Sequence, residues 1–308
     1  MSPLVNCHTH LELGWMSHIC PPPDGEPFTD WIGKLVLLRR QVRASGREEA
    51  LVRQAVAKGI ADMENAGITH IGDISQTGLS IEPLLNSRLD GVVYIEIIGN
   101  DRESALATFE RARAIINQYR PHLRPGLRIG LTPHAPYSTH PDAFRAATDF
   151  CLTENVPMCI HAAESPYENE ALLHGRGPFV EMSRHIGVEA PPPPGSTTIH
   201  YLNQLGVLAA RPLLVHMIHV SDEELDLVAQ TGAKIAHCPR SNQLLQCGRM
   251  PLEKMLARGI PVALGTDSLG SSPSLDIHEE AAAATRIHNG RVAVETMSAL
   301  LTNANILD

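Results

Sequence analysis

The chain has 308 residues, 43% of them apolar, six cysteines and a formal net charge of −9. The acidic balance excludes nucleic acid or an anionic membrane surface as the expected partner, and no apolar run reaches the roughly 18 residues of a membrane span. No basic stretch precedes the first apolar run, so no signal peptide is expected, and scattered cysteines with no CxxC pair read as reduced thiols of a cytoplasmic protein.

In chain order, an apolar strand at residues 4–7 runs into His8-Thr9-His10. Side chains two apart on a strand share a face, so two imidazoles leave this strand together. A proline-rich loop follows at 21–25, then a helical periodicity over 48–66 and strands at 70–74 and 92–98. A helix over 103–119 leads to a strand at 128–133, which ends at His134. A helix over 142–154 leads to a strand at 157–161, which ends in His161. A second proline loop spans 191–195, and the strand at 212–216 ends in His216. The helix over 222–231 has a capping Ser221 with Glu224 three residues on, and Gly232 as its stop. Strands at 234–238 and 261–266 flank a helix over 251–258, and Asp267 follows the last strand.

Strand-helix alternation predicts an α/β fold with a parallel sheet. Eight such units in one chain of this length predict a (β/α)8 TIM barrel forming a single domain over residues 1–308. The competing open doubly wound sheet is disfavoured because no GxGxxG follows any strand. In a barrel the strand ends share one rim. His8, His10, His134, His161, His216, His237 and Asp267 then converge there. Three or four imidazoles with a carboxylate are enough to hold one catalytic metal with a position left for water. Such a donor set suits Zn²⁺ or Fe²⁺ and does not select between them. His219 and His237 are given no metal contact. His18, His122, His140, His174, His185, His200, His278 and His288 are read as surface or capping residues. Glu12 and Trp15, just after the histidine pair, are read as substrate contacts, with loop packing as the alternative.

The motifs His8-Thr9-His10-Leu11-Glu12, His161-Ala162-Ala163-Glu164, His237-Cys238-Pro239-Arg240-Ser241-Asn242 and Gly265-Thr266-Asp267-Ser268, in this order, resemble the amidohydrolase superfamily. They are similar to its cytosine/guanine/adenosine-type deaminase and chlorohydrolase branch, with aminodeoxyfutalosine deaminases the nearest group. The resemblance implies His8, His10, His161 and Asp267 as ligands of one divalent metal, with Zn²⁺ expected and Fe²⁺ the alternative. It implies Glu164 as the proton shuttle and Asp267 as a second proton acceptor. It implies His216 as a contact of the reacting water and leaving group, a direct metal contact being the alternative, and His134 as a ribose contact. Dinuclear relatives bridge their metals with a lysine on a middle strand. The four lysines here are Lys34, Lys58, Lys234 and Lys254, so the middle strands offer none.

The implied activity is hydrolytic deamination of a purine or nucleoside-like small molecule, in which activated water attacks the amine-bearing ring carbon and ammonia leaves. The alternatives are a hydrolase with another leaving group, such as chloride or a cyclic amide, and a non-catalytic metal-binding barrel. Relatives carry a flanking β-sandwich that is largely absent here. Either a natural barrel-only member or a shortened form is expected, and a homo-oligomer would cover the exposed flank.

Overall fold

The structure is a computed structural model that describes residues 3–308. Eight strands alternate with helices: β1 (Val5–Thr9), β2 (His70–Ser75), β3 (Asp90–Ile97), β4 (Leu127–Pro133), β5 (Cys159–Ala162), β6 (Leu213–His216), β7 (Lys234–His237) and β8 (Val262–Leu264). They form two parallel four-stranded sheets, β1-β2-β3-β4 and β5-β6-β7-β8. Parallel neighbours in chain order require crossovers, which the intervening helices supply. The sheets meet twice. Leu131 bridges Met158 where β4 faces β5, and Thr9 bridges Asp267 where β8 faces β1.

All eight expected strands are present, with ends displaced by no more than two residues. The helix Asp222–Thr231 opens on the expected capping box and stops at Gly232 in the left-handed conformation. One long helix was not anticipated: α1 (Phe28–Ala44), which directly precedes α2 (Glu48–Asn65). The apolar residues of α1 exceed one face. Phe28, Trp31, Leu35 and Val42 are buried, while Leu37 remains 44% exposed. That breadth blurs the 3.6-residue period by which a helix is read.

Two apolar clusters result. The larger lies between strands and helices. The smaller gathers alternate residues of the strands, including Val5 and Cys7, Val92 and Tyr94, and Leu213 and Val215, with Ile306 and Leu307 from the chain's last turn. Period-two alternation sends these side chains to the face opposite the helices. All six cysteines are free, five of them buried.

The β1–β2 register shifts between Asn6 and Thr9, which puts one extra residue into β1 at Cys7-His8. Such a bulge re-aims side chains at a strand's exit. Gly265 makes room for it: a Cβ there would lie 2.8 Å from the His8 Cβ and 2.9 Å from the His8 carbonyl oxygen. Gly265→Ala is therefore expected to destabilise the protein by about 1–3 kcal/mol through overpacking and to displace His8. Denaturant titration with a parallel zinc titration checks both effects. An unchanged midpoint and unchanged zinc affinity would remove the close-approach argument.

Candidate active site

The strand ends bring the predicted residues together. The ring centroids of His8 lie 4.9 Å from those of both His10 and His161, and 6.0 Å from that of His216. The His10 and His161 Nε2 atoms face each other at 3.3 Å. Asp267 Oδ1 lies 3.6 Å from His8 Nε2 and 3.5 Å from His10 Nε2. His8, His10 and His161 form one group able to share a cation, and Glu164, His216 and Asp267 form a second.

Several features fit a cation at this point. His8 is fully buried, yet neither of its ring nitrogens has a hydrogen-bond partner. Burial, and then the neighbouring imidazoles, hold the His161 pKa well below the usual histidine value, and burial leads for His10 as well. Neutral imidazoles are the form that ligates. His161 Nδ1 lies 3.1 Å from the His134 carbonyl oxygen, to which only an N–H can donate, so Nε2 keeps its lone pair. Burial pushes the Asp267 carboxyl up, but the facing His8, His10 and His216 imidazoles prevail and hold it well below the ordinary range. Its Oδ2 accepts from Ser241 Oγ (2.7 Å) and Ser271 Oγ (2.9 Å), which leaves Oδ1 toward the histidines.

The second group is suited to proton movement. Glu164 Oε1 lies 3.3 Å from His216 Nε2. Burial, and then the Asp267 and Glu168 charges, push the Glu164 carboxyl well above its usual value. Burial lowers His216 to about 4. Of this pair the Glu164 carboxyl therefore holds a proton more readily than the His216 imidazole. His216 Nδ1 donates to Asn242 Oδ1 at 2.8 Å, which leaves its Nε2 to face the site. Ala163, His216, Met217 and Asp267 all have positive φ, between 49° and 75°. Left-handed backbone at the ends of β5, β6 and β8 is costly for residues other than glycine and concentrates at functional sites.

Sequence reasoning missed the residues that brace these groups. Glu168 Oε2 accepts from the Glu164 backbone N–H (3.0 Å), and its Oε1 accepts from Thr198 Oγ1 (2.9 Å). Asn242 and Ser241 lie inside a motif read for its family resemblance, in which neither was given a role. His237 itself faces away, with its Nε2 3.1 Å from His288 Nε2. His288, read as a surface or capping residue, does cap the helix Ile277–Ile287 at its C-terminus but is fully buried against His237; a histidine far along the chain gave no signal of that pairing. His140 does cap, accepting the Asp142 N–H.

These groups floor a cavity of about 280 Å³. His134 lines it beside Tyr137 and Ser138. Glu12 lines it too, but its carboxylate is occupied: it accepts from the N–H groups of Gln76 (3.1 Å) and Thr77 (3.0 Å) and from the Ser75 and Thr77 hydroxyls. Trp15 packs against the core and is not part of the wall; Trp31 of α1 is. The correction follows from the 3₁₀ turn Leu11–Ile19, which carries Trp15 away from the strand end.

Asn242→Leu is expected to lower turnover about 10- to 100-fold, the usual cost of removing a group that orients a metal-site histidine. Metal content should not change. Unaltered kcat would show that Asn242 does not set the His216 tautomer.

The amidohydrolase family model matches residues 3–304. The aminodeoxyfutalosine deaminase of Deinococcus radiodurans is 34% identical over 94% of this chain and 68% of its own length. A 5-methylthioadenosine/S-adenosylhomocysteine deaminase of Desulfovibrio desulfuricans is 28% identical over 92% of this chain and 60% of its own length. The chain thus spans some three fifths to two thirds of these curated relatives. Among solved structures, Helicobacter pylori aminofutalosine deaminase in complex with methylthio-coformycin superimposes with a TM-score of 0.82, at 21% identity, covering 99% of this chain and 74% of that one. The chain belongs to the amidohydrolase family, hydrolases of carbon–nitrogen bonds.

Proposed function

We propose that this chain is a deaminase of a purine nucleoside-like substrate, using one divalent metal held by His8, His10, His161 and Asp267. The observation that carries the reading is the Glu164–His216 pair at 3.3 Å, set beside a three-imidazole group on the floor of one cavity. A purely structural metal site has no use for a buried acid aimed into it. The names of the curated relatives support a purine-type substrate. The donor set suits Zn²⁺ and Fe²⁺ alike, and the family resemblance makes Zn²⁺ the expected ion. We read the two sheets as halves of one (β/α)8 barrel, which the bridges at both meeting points support.

When bound, the metal makes a water acidic enough to supply hydroxide near neutral pH. Glu164 takes a proton from that water and delivers it to the ring nitrogen beside the amine-bearing carbon. His216 Nε2 orients the attacking oxygen. Asp267 takes the oxygen's remaining proton and passes it to the amine nitrogen. A C–O bond forms, the C–N bond breaks and ammonia leaves. His134, beside the floor, contacts the sugar.

Ammonia release by the metal-loaded protein is the test, over adenosine, 5′-deoxyadenosine, methylthioadenosine, S-adenosylhomocysteine, aminodeoxyfutalosine, guanine and cytosine. Release from an adenine nucleoside supports the reading. No release from any compound, with one metal per chain confirmed, overturns it.

A further inference from the structure

A second cavity, of about 180 Å³, opens at the opposite ends of the strands. Arg128 is the second residue of β4 and Lys234 the first of β7. Arg128 pairs in register with Val92, and Lys234 with Leu213. Register partners in a parallel sheet point the same way, so both cations share the face of the smaller apolar cluster, opposite the helices. Arg211, just ahead of β6, lines the same cavity. The length of β4 separates Arg128 from His134, roughly 20 Å at the rise of a strand, so this cavity is not part of the site above.

Three positive groups in one small cavity repel one another. A chain of net charge −9 has carboxylates to spare, yet none of the three makes an ion pair among the described residues. Arg128 Nη1 donates to the Leu307 carbonyl oxygen (3.1 Å), and Lys234 Nζ to those of Asn305 (3.1 Å) and Asp308 (3.2 Å). These acceptors carry no charge. Asp308 is the one acid among the lining residues, and it is exposed. Burial holds the Lys234 pKa below the usual lysine value despite Asp308, and the Arg128 charge adds to the fall.

Two further features point to a ligand. Tyr94, 2% exposed, lines this cavity with its ring laid over Gly130, where a Cβ would come within 2.6 Å of it. Its hydroxyl makes no hydrogen bond with any described residue, and burial keeps the phenol protonated, so it has a proton to donate. Arg211 is held at a φ of 50°. That conformation is costly for a long side chain and concentrates at functional positions.

We propose that Arg128, Arg211, Lys234 and the Tyr94 hydroxyl form a binding site for a phosphate group, remote from the reaction centre. Phosphate accepts hydrogen bonds from several directions and carries close to two negative charges near neutral pH, against three cations here; a carboxylate carries one. The cavity is smaller than the roughly 300 Å³ at which pockets for drug-sized ligands begin, so the phosphate is free or borne on a short ester. The inference is independent of the reaction assigned above.

The experiment titrates inorganic phosphate into the zinc-loaded full chain by calorimetry, with glycerol 3-phosphate and succinate in parallel. About one phosphate per chain is expected, with a Kd of about 1 mM or tighter. The Kd should persist after zinc is removed, because the cavity lies away from the histidines. Arg128→Met and Lys234→Met should each weaken binding about 10- to 100-fold, the worth of a charged hydrogen bond, and Tyr94→Phe about 2- to 10-fold. Zinc content should not change in any of them. Phosphate in excess of its Kd should raise the melting temperature of the parent and not of the methionine variants. Should a buried variant fail to fold, Arg211→Met, at an exposed side chain, is still expected to weaken binding, and Lys234→Arg to keep it. Glycerol 3-phosphate binding tighter than phosphate supports the site and names an ester as its ligand; the reverse order names free phosphate. No binding, succinate binding as tightly as phosphate, binding that is lost with zinc, or an affinity unchanged in all three methionine variants overturns the proposal.

Discussion

Glu164→Gln is expected to lower ammonia release by about 10²- to 10⁴-fold, the range attributed to a positioned general acid–base. The substitution keeps shape and volume. Glu164 is 3% exposed, its backbone N–H is held by Glu168, and one carboxyl oxygen lies 3.3 Å from His216 Nε2. An amide fills the same space and donates to the same nitrogen, but it cannot carry a proton from water to a ring nitrogen. Binding should persist, so KM should change far less than kcat. Zinc content and melting temperature should match those of the unmodified chain. Turnover within a factor of two of normal would discard Glu164 as the shuttle, whereas a fall in zinc content would make it a ligand instead.

His8→Leu is expected to act in opposite directions with and without metal. The His8 imidazole is fully buried and neither nitrogen is paired with another residue of the chain. Leaving buried polar groups unpaired costs about 1–3 kcal/mol. A leucine of similar bulk removes that cost, so the metal-free variant should be as stable as the parent or more so. Metal reverses the order. A cation bound at a thousand times its dissociation constant adds about 4 kcal/mol to the native state. The unmodified chain should therefore gain several degrees in melting temperature on zinc addition, and the variant should gain little. Melting curves with and without zinc supply all four values. A large zinc-dependent gain in the variant would remove His8 from the ligand set, and a strongly destabilised metal-free variant would mean that the imidazole packs as a core residue needing no ion.

The strand ends were legible because short β-branched runs bounded by turn residues mark parallel strands, and the polar residue closing each run then falls on a common rim. That logic located His8, His10, His161, His216 and Asp267 without reference to loops. It could not reach groups whose position depends on loop geometry. Ser241 and Asn242 sit on the short helix Pro239–Leu244 just after β7, and Ser271 on a turn after β8, neither long enough for a period to show. The cavity wall escaped for a different reason. The apolar residues of α1 read as ordinary packing, and only the fold shows that Trp31 and Leu35 face a cavity rather than another helix. Glu12 illustrates the converse. A carboxylate next to a metal motif invites a substrate role, but four backbone and hydroxyl donors nearer to hand claim it first.

The meeting of β1 with β8 has a consequence in time. Thr9 Oγ1 donates to the Asp267 carbonyl oxygen, and the Asp267 N–H donates to the His8 carbonyl oxygen, across a separation of more than 250 residues. Ribosomes add about 5–20 residues per second, so the histidine pair waits tens of seconds for its carboxylate partner. Until β8 arrives, a nascent chain offers imidazoles but no anionic donor to complete the set. A metal held as proposed would thus gain its carboxylate ligand only once β8 has been made, and products truncated before Asp267 would lack that ligand.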